Sequence, residues 1–157
     1  MIEVYLFDWG DTLRIDFPNA EGKMCHWENV EAVHGAKDTL ESLSQEAQIY
    51  IATGAADSTE LEIKLAFERV GLSEYISGYF CQANLGLVKG SPEFLNAILS
   101  TLNVPASNIV MVGDNFEKDI EPAISVGINS VWFTPSKNVL KTPLNVRKID
   151  CLSELCI

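Results

Sequence analysis

The alternation of short apolar segments with longer amphipathic ones is the feature that most restricts how this chain can fold. Short apolar runs are typical of buried strands, whereas apolar residues that recur at helical spacing are typical of helices. The predicted strands cover residues 2–7, 48–52, 79–82, 109–112 and 130–133, with a short edge strand at 146–149. The predicted helices cover residues 33–46, 57–70, 92–102 and 120–125, with a last helical turn at 152–155. This alternation predicts an α/β fold in which helices cover both faces of a parallel sheet.

Two of the predicted helices carry signals for where they begin. Asp57 and Glu60 have the spacing of a capping box, in which each side chain bonds the backbone N–H of the other residue. Ser91 followed by Pro92 is typical of an N-cap and a first helical position. The apolar face of the helix at 57–70 is predicted to consist of Leu61, Leu65, Phe67 and Val70.

Length and charge narrow the class of protein. At 157 residues, with 47% hydrophobic and 21% charged residues, the chain is expected to form one globular domain over 1–157. The formal net charge of −11 disfavours nucleic acid and anionic membrane surfaces as partners, because both are negatively charged. The apolar segments are too short to cross a bilayer. A small phosphorylated molecule is compatible with this charge if a local cation offsets the negative field.

The cysteines and the first residues indicate a cytoplasmic protein. The sequence has cysteines at 25, 81, 151 and 156, without a CxxC pair or the spacing of a zinc site, and we expect reduced thiols. We predict that Cys151 and Cys156 pack in a terminal helix. The opening residues carry acids at Glu3 and Asp8 instead of a basic start followed by an apolar run, so no secretory signal is predicted.

Polar residues follow the predicted strands where each one ends. Asp8 follows the first strand, Thr53 the second, and Asp114 the fourth, with Asp119 shortly after it. Lys89 precedes the helix at 92–102. Any one of these residues alone would be explained as a turn former, a cap or a solvated side chain. Since the carboxyl ends of parallel strands meet at one edge of a sheet, where ligands bind, we expect the five residues to form one site.

The combination of Asp8, Thr53, Lys89 and the segment 113–119 resembles the four motifs of the haloacid dehalogenase superfamily of hydrolases. The resemblance covers nearly the whole chain. It implies a three-layer Rossmann-like core with a doubly wound parallel sheet. It also implies a magnesium-dependent phosphatase that acts on phosphomonoesters, with a phosphorylated small molecule or a phosphoprotein as its partner.

The same resemblance implies a role for each acid of the site. Asp8 would attack phosphorus and form an aspartyl-phosphate, as carboxylates do in covalent catalysis. Mg²⁺ would be bound by the carboxylates of Asp8 and Asp114 and by the backbone carbonyl of Gly10, which are the hard oxygen ligands that it prefers. Asp119 would orient Lys89 or a metal-bound water, or serve as a structural cap.

Binding of the phosphoryl group is implied for the remaining motif residues. Thr53 would donate a hydrogen bond to a phosphoryl oxygen, together with the backbone N–H of Gly54. Lys89 would neutralise negative charge on the phosphoryl group and on Asp8. Several acids around one dianion need such cations, because like charges repel strongly in a poorly solvated site.

The first motif departs from the family pattern at one position. Family phosphatases carry a second Asp two residues after the nucleophile, which acts as general acid and base; here Gly10 occupies that position. The next acid is Asp11, and residues three apart on an extended segment face opposite ways, so turn formation or capping is its expected role and acid/base catalysis is the alternative. A positioned general acid or base contributes about 10²–10⁴-fold to the rate, so we expect slow turnover.

The chain also has little room for a cap domain over the site. We predict only a flap-like segment at about 14–30, with Trp9 and Trp27 either at the entrance or in the core. The alternative to a slow phosphatase is a weak or inactive domain that binds a phosphorylated ligand or protein. A receiver-type signalling domain is disfavoured because its first strand would end in an acidic pair. Dehalogenation is disfavoured because no cap supplies an apolar halide pocket.

Overall fold

A computed structural model of the protein describes residues 2–9, 12–13, 32–54, 58–134 and 146–156. Its strands are β1 (Val4–Phe7), β2 (Gln48–Ala52), β3 (Gly78–Phe80), β4 (Ile109–Gly113), β5 (Asn129–Phe133) and β6 (Arg147–Ile149). Its helices are α1 (Ala36–Leu43), α2 (Glu60–Arg69), α3 (Gln82–Leu85), α4 (Pro92–Leu102) and α5 (Glu121–Ser125). Short 3₁₀ turns lie at Ser73–Tyr75, Ala106–Asn108 and Leu152–Cys156, and a π-helical turn lies at Phe116–Ile120.

The strands form one parallel six-stranded sheet in the order β3-β2-β1-β4-β5-β6. The central strand β1 is paired on both sides, with Phe7 opposite Ile51 of β2 and Val112 of β4. The order reverses at β1, so β1 and β4 are neighbours although most of the chain separates them. The predicted α/β fold with a doubly wound parallel sheet is confirmed.

Each face of the sheet carries its own hydrophobic cluster, which makes three layers. Successive residues of a strand point to opposite faces, so Leu6 and Phe7 belong to different clusters. The first cluster joins α1, α2 and the Leu152–Cys156 turn to the sheet; it includes Phe7, Leu40, Ile51, Phe67, Val112 and Leu155. The second joins α4 and α5 to the opposite face; it includes Leu6, Phe94, Ile98, Met111 and Ala123.

Helix α2 differs from its prediction in both its start and its buried face. Its N-cap is Thr59, which forms the capping box with Glu62, so the predicted Asp57–Glu60 pair was wrong; Asp57 itself lies outside the described residues. Leu61 and Leu65, predicted to face the core, are 65% and 42% exposed. The buried residues are instead Ile63, Ala66 and Phe67.

Other differences concern single elements. The third strand ends at Phe80, and the helix α3 that follows it was not predicted. The π-helical turn before α5 was not predicted either. Cys151 and Cys156 are exposed, so the prediction that they pack was wrong; the buried residues of that turn are Leu152 and Leu155.

Some predictions concern residues that the structure does not describe. The predicted flap at 14–30, Trp27, Gly10 and Asp11 all lie outside the described ranges. Trp9 is described: it is buried and stacks on Phe67, with ring centroids 3.8 Å apart, so it belongs to the core. Within the described residues, every helix is too short or too polar to span a bilayer.

Candidate active site

Asp8 and Asp114 are neighbours because they follow the ends of two paired strands. Asp8 comes directly after β1, and its backbone N–H donates a hydrogen bond of 2.9 Å to the carbonyl of Val112 in β4. Asp114 comes directly after Gly113, the last residue of β4. The pairing of β1 with β4 therefore brings together two acids that are far apart in the sequence.

Lys89 is a buried cation whose ammonium group contacts the acids. Its side chain is 7% exposed, and Nζ lies 2.5 Å from Oδ1 of Asp8 and 2.7 Å from Oδ1 of Asp119. Nζ also donates a hydrogen bond of 2.8 Å to the carbonyl of Ala52, at the end of β2. The ammonium group thus donates hydrogen bonds to Asp8 and to Ala52 and forms an ion pair with Asp119.

Asp119 reaches Lys89 from the π-helical turn that follows β4. It is 1% exposed, and its Oδ2 accepts a 3.0 Å hydrogen bond from the backbone N–H of Asn115. Gly113 makes this position possible, because a Cβ at residue 113 would overlap the Asp119 carboxyl group. Asp119 thus contacts both Lys89 and the backbone at Asn115, so its predicted roles in orienting Lys89 and as a structural cap both stay predictions.

Thr12 links the two acids at the strand ends, and it was not among the predicted site residues. It is fully buried, and its hydroxyl lies 3.3 Å from Oδ2 of Asp8 and 3.4 Å from Oδ1 of Asp114. The sequence signal for this contact is its spacing of four residues from Asp8, because a turn after a strand can bring such a residue back beside the strand end.

Thr53 and Gly54 lie at the same edge of the sheet. Thr53 is buried, and its backbone N–H donates a hydrogen bond of 3.0 Å to the carbonyl of Phe80 in β3. It follows Ala52, whose carbonyl contacts Lys89. Gly54 is exposed and lies against Lys89: a Cβ there would be 3.8 Å from Cδ of the lysine. The predicted site residues that the structure describes therefore all lie at the carboxyl edge of the sheet: Asp8, Thr53, Gly54, Lys89, Asp114 and Asp119.

Burial and ion pairing shift the pKa values in opposite directions within the site. Burial opposes ionisation of Asp8, but Lys89 and a hydrogen bond with Asp114 together hold its pKa below the ordinary value. Burial raises the pKa of Asp114 to about 8, and the neighbouring charges of Asp8 and Asp119 add to this increase. Burial lowers the pKa of Lys89 less than Asp8 and Asp119 raise it, so Lys89 stays protonated. Of these two acids, Asp114 is therefore the one that is protonated more readily.

The acids have the arrangement of a cation site. Asp8, Asp114 and Asp119 each offer a carboxylate oxygen, and these oxygens lie within 4.8 Å of one another. Asp119 is engaged with Lys89 and a backbone N–H, whereas Oδ2 of Asp8 and Oδ1 of Asp114 both lie near the Thr12 hydroxyl. Carboxylates this close together repel each other when ionised, and a cation between them removes the repulsion; carboxylate oxygens are also the hard ligands that Mg²⁺ prefers. The residues present therefore fit a magnesium ion.

The class of protein is an α/β protein whose parallel sheet carries a buried lysine among acids at its carboxyl edge. Comparison with protein families identifies it further, because the family described as haloacid dehalogenase-like hydrolase matches residues 10–127. The chain belongs to this family, and the predicted resemblance is confirmed.

Two curated relatives agree with this assignment, and one solved structure has the same fold. The ribulose-1,5-bisphosphate 5-phosphatase of Halopiger xanaduensis is 36% identical over 110 residues, which are 70% of this chain and 45% of that protein. The glyceraldehyde 3-phosphate phosphatase of Pyrococcus furiosus is 29% identical over 105 residues, 67% of this chain and 43% of that protein. The crystal structure of an uncharacterized protein from Listeria monocytogenes serotype 4b superposes with a TM-score of 0.83 at 23% identity, covering 99% of this chain and 95% of that one, and shows the same fold. The chain thus spans less than half the length of these two curated relatives.

Proposed function

We propose that the protein hydrolyses phosphomonoesters in a magnesium-dependent reaction that passes through an aspartyl-phosphate on Asp8. The observation that carries this proposal is the contact of Lys89 with both Asp8 and Asp119, beside Asp114. This arrangement lowers the pKa of the partly buried Asp8 and so favours its ionised form, which is the state that a carboxylate nucleophile needs.

The two oxygens of the Asp8 carboxylate have different surroundings. Oδ1 contacts Lys89, and Oδ2 lies on the side of Thr12 and Asp114. We assign Oδ2 to the metal and Oδ1 to the attack on phosphorus. The bond between phosphorus and the ester oxygen would then break, and the leaving alkoxide would take a proton from water. Hydrolysis of the acyl-phosphate by water would restore the carboxylate and release phosphate.

Asp8 and Asp114 would hold Mg²⁺, together with the backbone carbonyl of Gly10. When bound, Mg²⁺ would neutralise the acids and polarise the phosphoryl oxygens. Because burial and the neighbouring acids raise the pKa of Asp114, binding of the cation would favour loss of its proton. Asp119 has its oxygens engaged elsewhere and is proposed to position Lys89.

The phosphoryl group would be bound by groups on the opposite side of Asp8. Lys89 supplies the positive charge, and its protonated state is supported by two neighbouring carboxylates. The hydroxyl of Thr53 and the backbone N–H of Gly54 would donate hydrogen bonds to the phosphoryl oxygens. Fixed donors around a developing negative charge are typically the largest electrostatic contribution to such reactions.

Gly10 is expected to limit the rate, because it replaces the residue that would protonate the leaving group. Substrates with good leaving groups should therefore react best.

The relatives are named for phosphatases of small phosphorylated sugars. We accordingly propose a phosphorylated small molecule as the substrate, and the net charge of −11 argues against long nucleic acids. The free cysteines Cys81, Cys151 and Cys156 support a cytoplasmic location as part of the proposal.

Gly10 also supports a second candidate function. A chain that retains the phosphoryl-binding groups but lacks the acid and base would bind a phosphorylated ligand or protein without turning it over. In that case Mg²⁺ and a phosphorylated ligand would both bind, and Asp8 would serve as a metal ligand alone.

Phosphate release distinguishes the two functions. Purified protein is incubated with a panel of phosphorylated sugars and aryl phosphates, with and without Mg²⁺, beside an Asp8→Asn variant. Release that requires Mg²⁺ and is absent in Asp8→Asn supports the phosphatase. Folded wild-type protein that binds Mg²⁺ but releases no more phosphate than Asp8→Asn supports the binding function.

A further inference from the structure

Trp132 of β5 contacts the loop that carries two acids of the site. Its indole Nε1–H donates a hydrogen bond of 3.0 Å to the backbone carbonyl of Asp114. Its ring also packs edge-on against Phe116, with ring centroids 5.0 Å apart. Phe116 is the first residue of the π-helical turn that leads to Asp119. The side chain of Trp132 therefore contacts the loop at two points, at Asp114 and at Phe116.

The sheet pairing explains why this residue can reach the loop. Trp132 lies opposite Gly113 in the register of β4 and β5, and Asp114 is the next residue after Gly113. The carbonyl of Asp114 lies just beyond the paired part of β4. A hydrogen bond to this carbonyl restricts rotation of the peptide that follows Asp114, and so restricts the direction of its side chain.

We infer that Trp132 is a positioning residue for the magnesium site, acting through the backbone of Asp114. The inference rests on the proposed function, since it assumes that Asp8 and Asp114 bind Mg²⁺. Metal affinity depends on groups that fix the direction of the ligands, because a mobile ligand loses conformational freedom when it binds. Indole is well suited to this role, since it has one donor and a large rigid ring.

The test compares Trp132→Phe with wild type. Phe keeps an aromatic ring beside Phe116 but lacks the N–H donor, so the hydrogen bond to Asp114 is removed selectively. Melting temperature is measured across a titration with Mg²⁺ alone, because a ligand that binds the folded state raises Tm according to its concentration relative to Kd. The control is Ile98→Val, which removes one buried methyl group of α4 from the hydrophobic core.

We expect Trp132→Phe to need about tenfold more Mg²⁺ than wild type for the same rise in Tm, with Ile98→Val unchanged. Equal Mg²⁺ dependence in Trp132→Phe and wild type would overturn the inference. So would an equal loss in Ile98→Val, because the effect would then come from a looser fold. A wild type whose Tm does not respond to Mg²⁺ would overturn the inference and the metal site together.

A measurement on wild type covers the case in which Trp132→Phe does not fold. The NMR signal of the Trp132 indole N–H is expected to shift as Mg²⁺ is added, with the same apparent Kd that the Tm titration gives. An unshifted Trp132 signal at saturating Mg²⁺ would refute the inference. Failure of the proposed hydrolysis is a distinct result, since it would appear as Mg²⁺ binding without phosphate release.

Discussion

Replacing Lys89 by Met should destabilise the metal-free protein more than most single substitutions. Met keeps most of the length of the side chain and removes its charge. Lys89 is 7% exposed, and its ammonium group contacts Asp8, Asp119 and the carbonyl of Ala52. Its loss leaves two poorly solvated carboxylates without their shared cation.

The size of the effect follows from the burial of the pair. Removing one partner of a buried ion pair costs about 3–5 kcal/mol, because the remaining charge is left uncompensated. A domain of this kind has a free energy of unfolding of about 5–15 kcal/mol, so the loss is a large share of the total. With a urea dependence of about 2 kcal/mol per M, the midpoint of unfolding should fall by about 1.5–2.5 M.

The pH range of the experiment follows from the pKa shifts. The pKa of Lys89 is raised above 10.5, so its contribution is complete below that pH and is lost as pH rises through the raised value. The pKa of Asp8 is lowered below 3.8, so its contribution is present above that pH and is lost as pH falls through the lowered value. The pair should therefore contribute fully between about pH 5 and pH 9.

Urea unfolding at pH 7.5 in the presence of a chelator measures the difference directly, with Lys64→Met on the exposed side of α2 as the control. Lys64→Met should change the free energy of unfolding by less than about 0.5 kcal/mol. Added Mg²⁺ should restore part of the stability of Lys89→Met by supplying positive charge. A Lys89→Met variant as stable as Lys64→Met without metal would refute the reasoning, because the buried acids would then not need their cation.

Three further substitutions test separate parts of the structure. Gly113→Ala should lower the free energy of unfolding by about 1–3 kcal/mol and displace Asp119. The control Gly54→Ala, where a Cβ has room, should lower it by less than about 0.5 kcal/mol. Equal urea midpoints for the two variants would contradict the overlap at residue 113. Thr12→Val should weaken Mg²⁺ binding by about tenfold through loss of the hydroxyl between the acids, measured by Tm titration, and an unchanged titration would exclude that role. Thr59→Ala should cost about 1 kcal/mol by loss of the capping box and leave Mg²⁺ binding unchanged, and a weaker Mg²⁺ affinity would contradict it.

Sequence patterns predicted the elements whose signals agree with one another. Strand β2 and helix α4 have the predicted bounds, and Ser91 and Pro92 begin α4 as expected. In α4, capping, proline position and apolar periodicity all indicate the same start. The acids at the strand ends could be predicted to meet because parallel topology alone brings them to one edge.

Helix α2 shows where local pattern is insufficient. Leu61 and Leu65 are four residues apart, and so are Ile63 and Phe67, so the sequence contains two apolar stripes of similar quality. The structure buries the stripe that contains Ile63 and Phe67, and the ring of Trp9 stacks on Phe67. That choice depends on a tertiary contact between distant parts of the chain, which periodicity does not encode.

The finer geometry of the site also depended on tertiary structure. The role of Asp119 was left among alternatives because its contact with Lys89 requires the π-helical turn and the absence of a side chain at Gly113. Thr12 and Trp132 contribute hydrogen bonds from positions whose residue types are common in buried segments. Such residues become recognisable only when their neighbours in space are known.

Direct detection of phosphoryl transfer to Asp8 tests the proposed chemistry most directly. Protein with Mg²⁺ is mixed with an acyl or aryl phosphate, quenched in acid and digested, and the peptide that contains Asp8 is examined by mass spectrometry. Because Gly10 should slow hydrolysis of the intermediate, we expect a phosphoryl group on Asp8 that requires Mg²⁺ and is absent in Asp8→Asn. Phosphate release by the wild type without any labelling of Asp8, or equal release by Asp8→Asn, would contradict the assignment of Asp8 as the nucleophile.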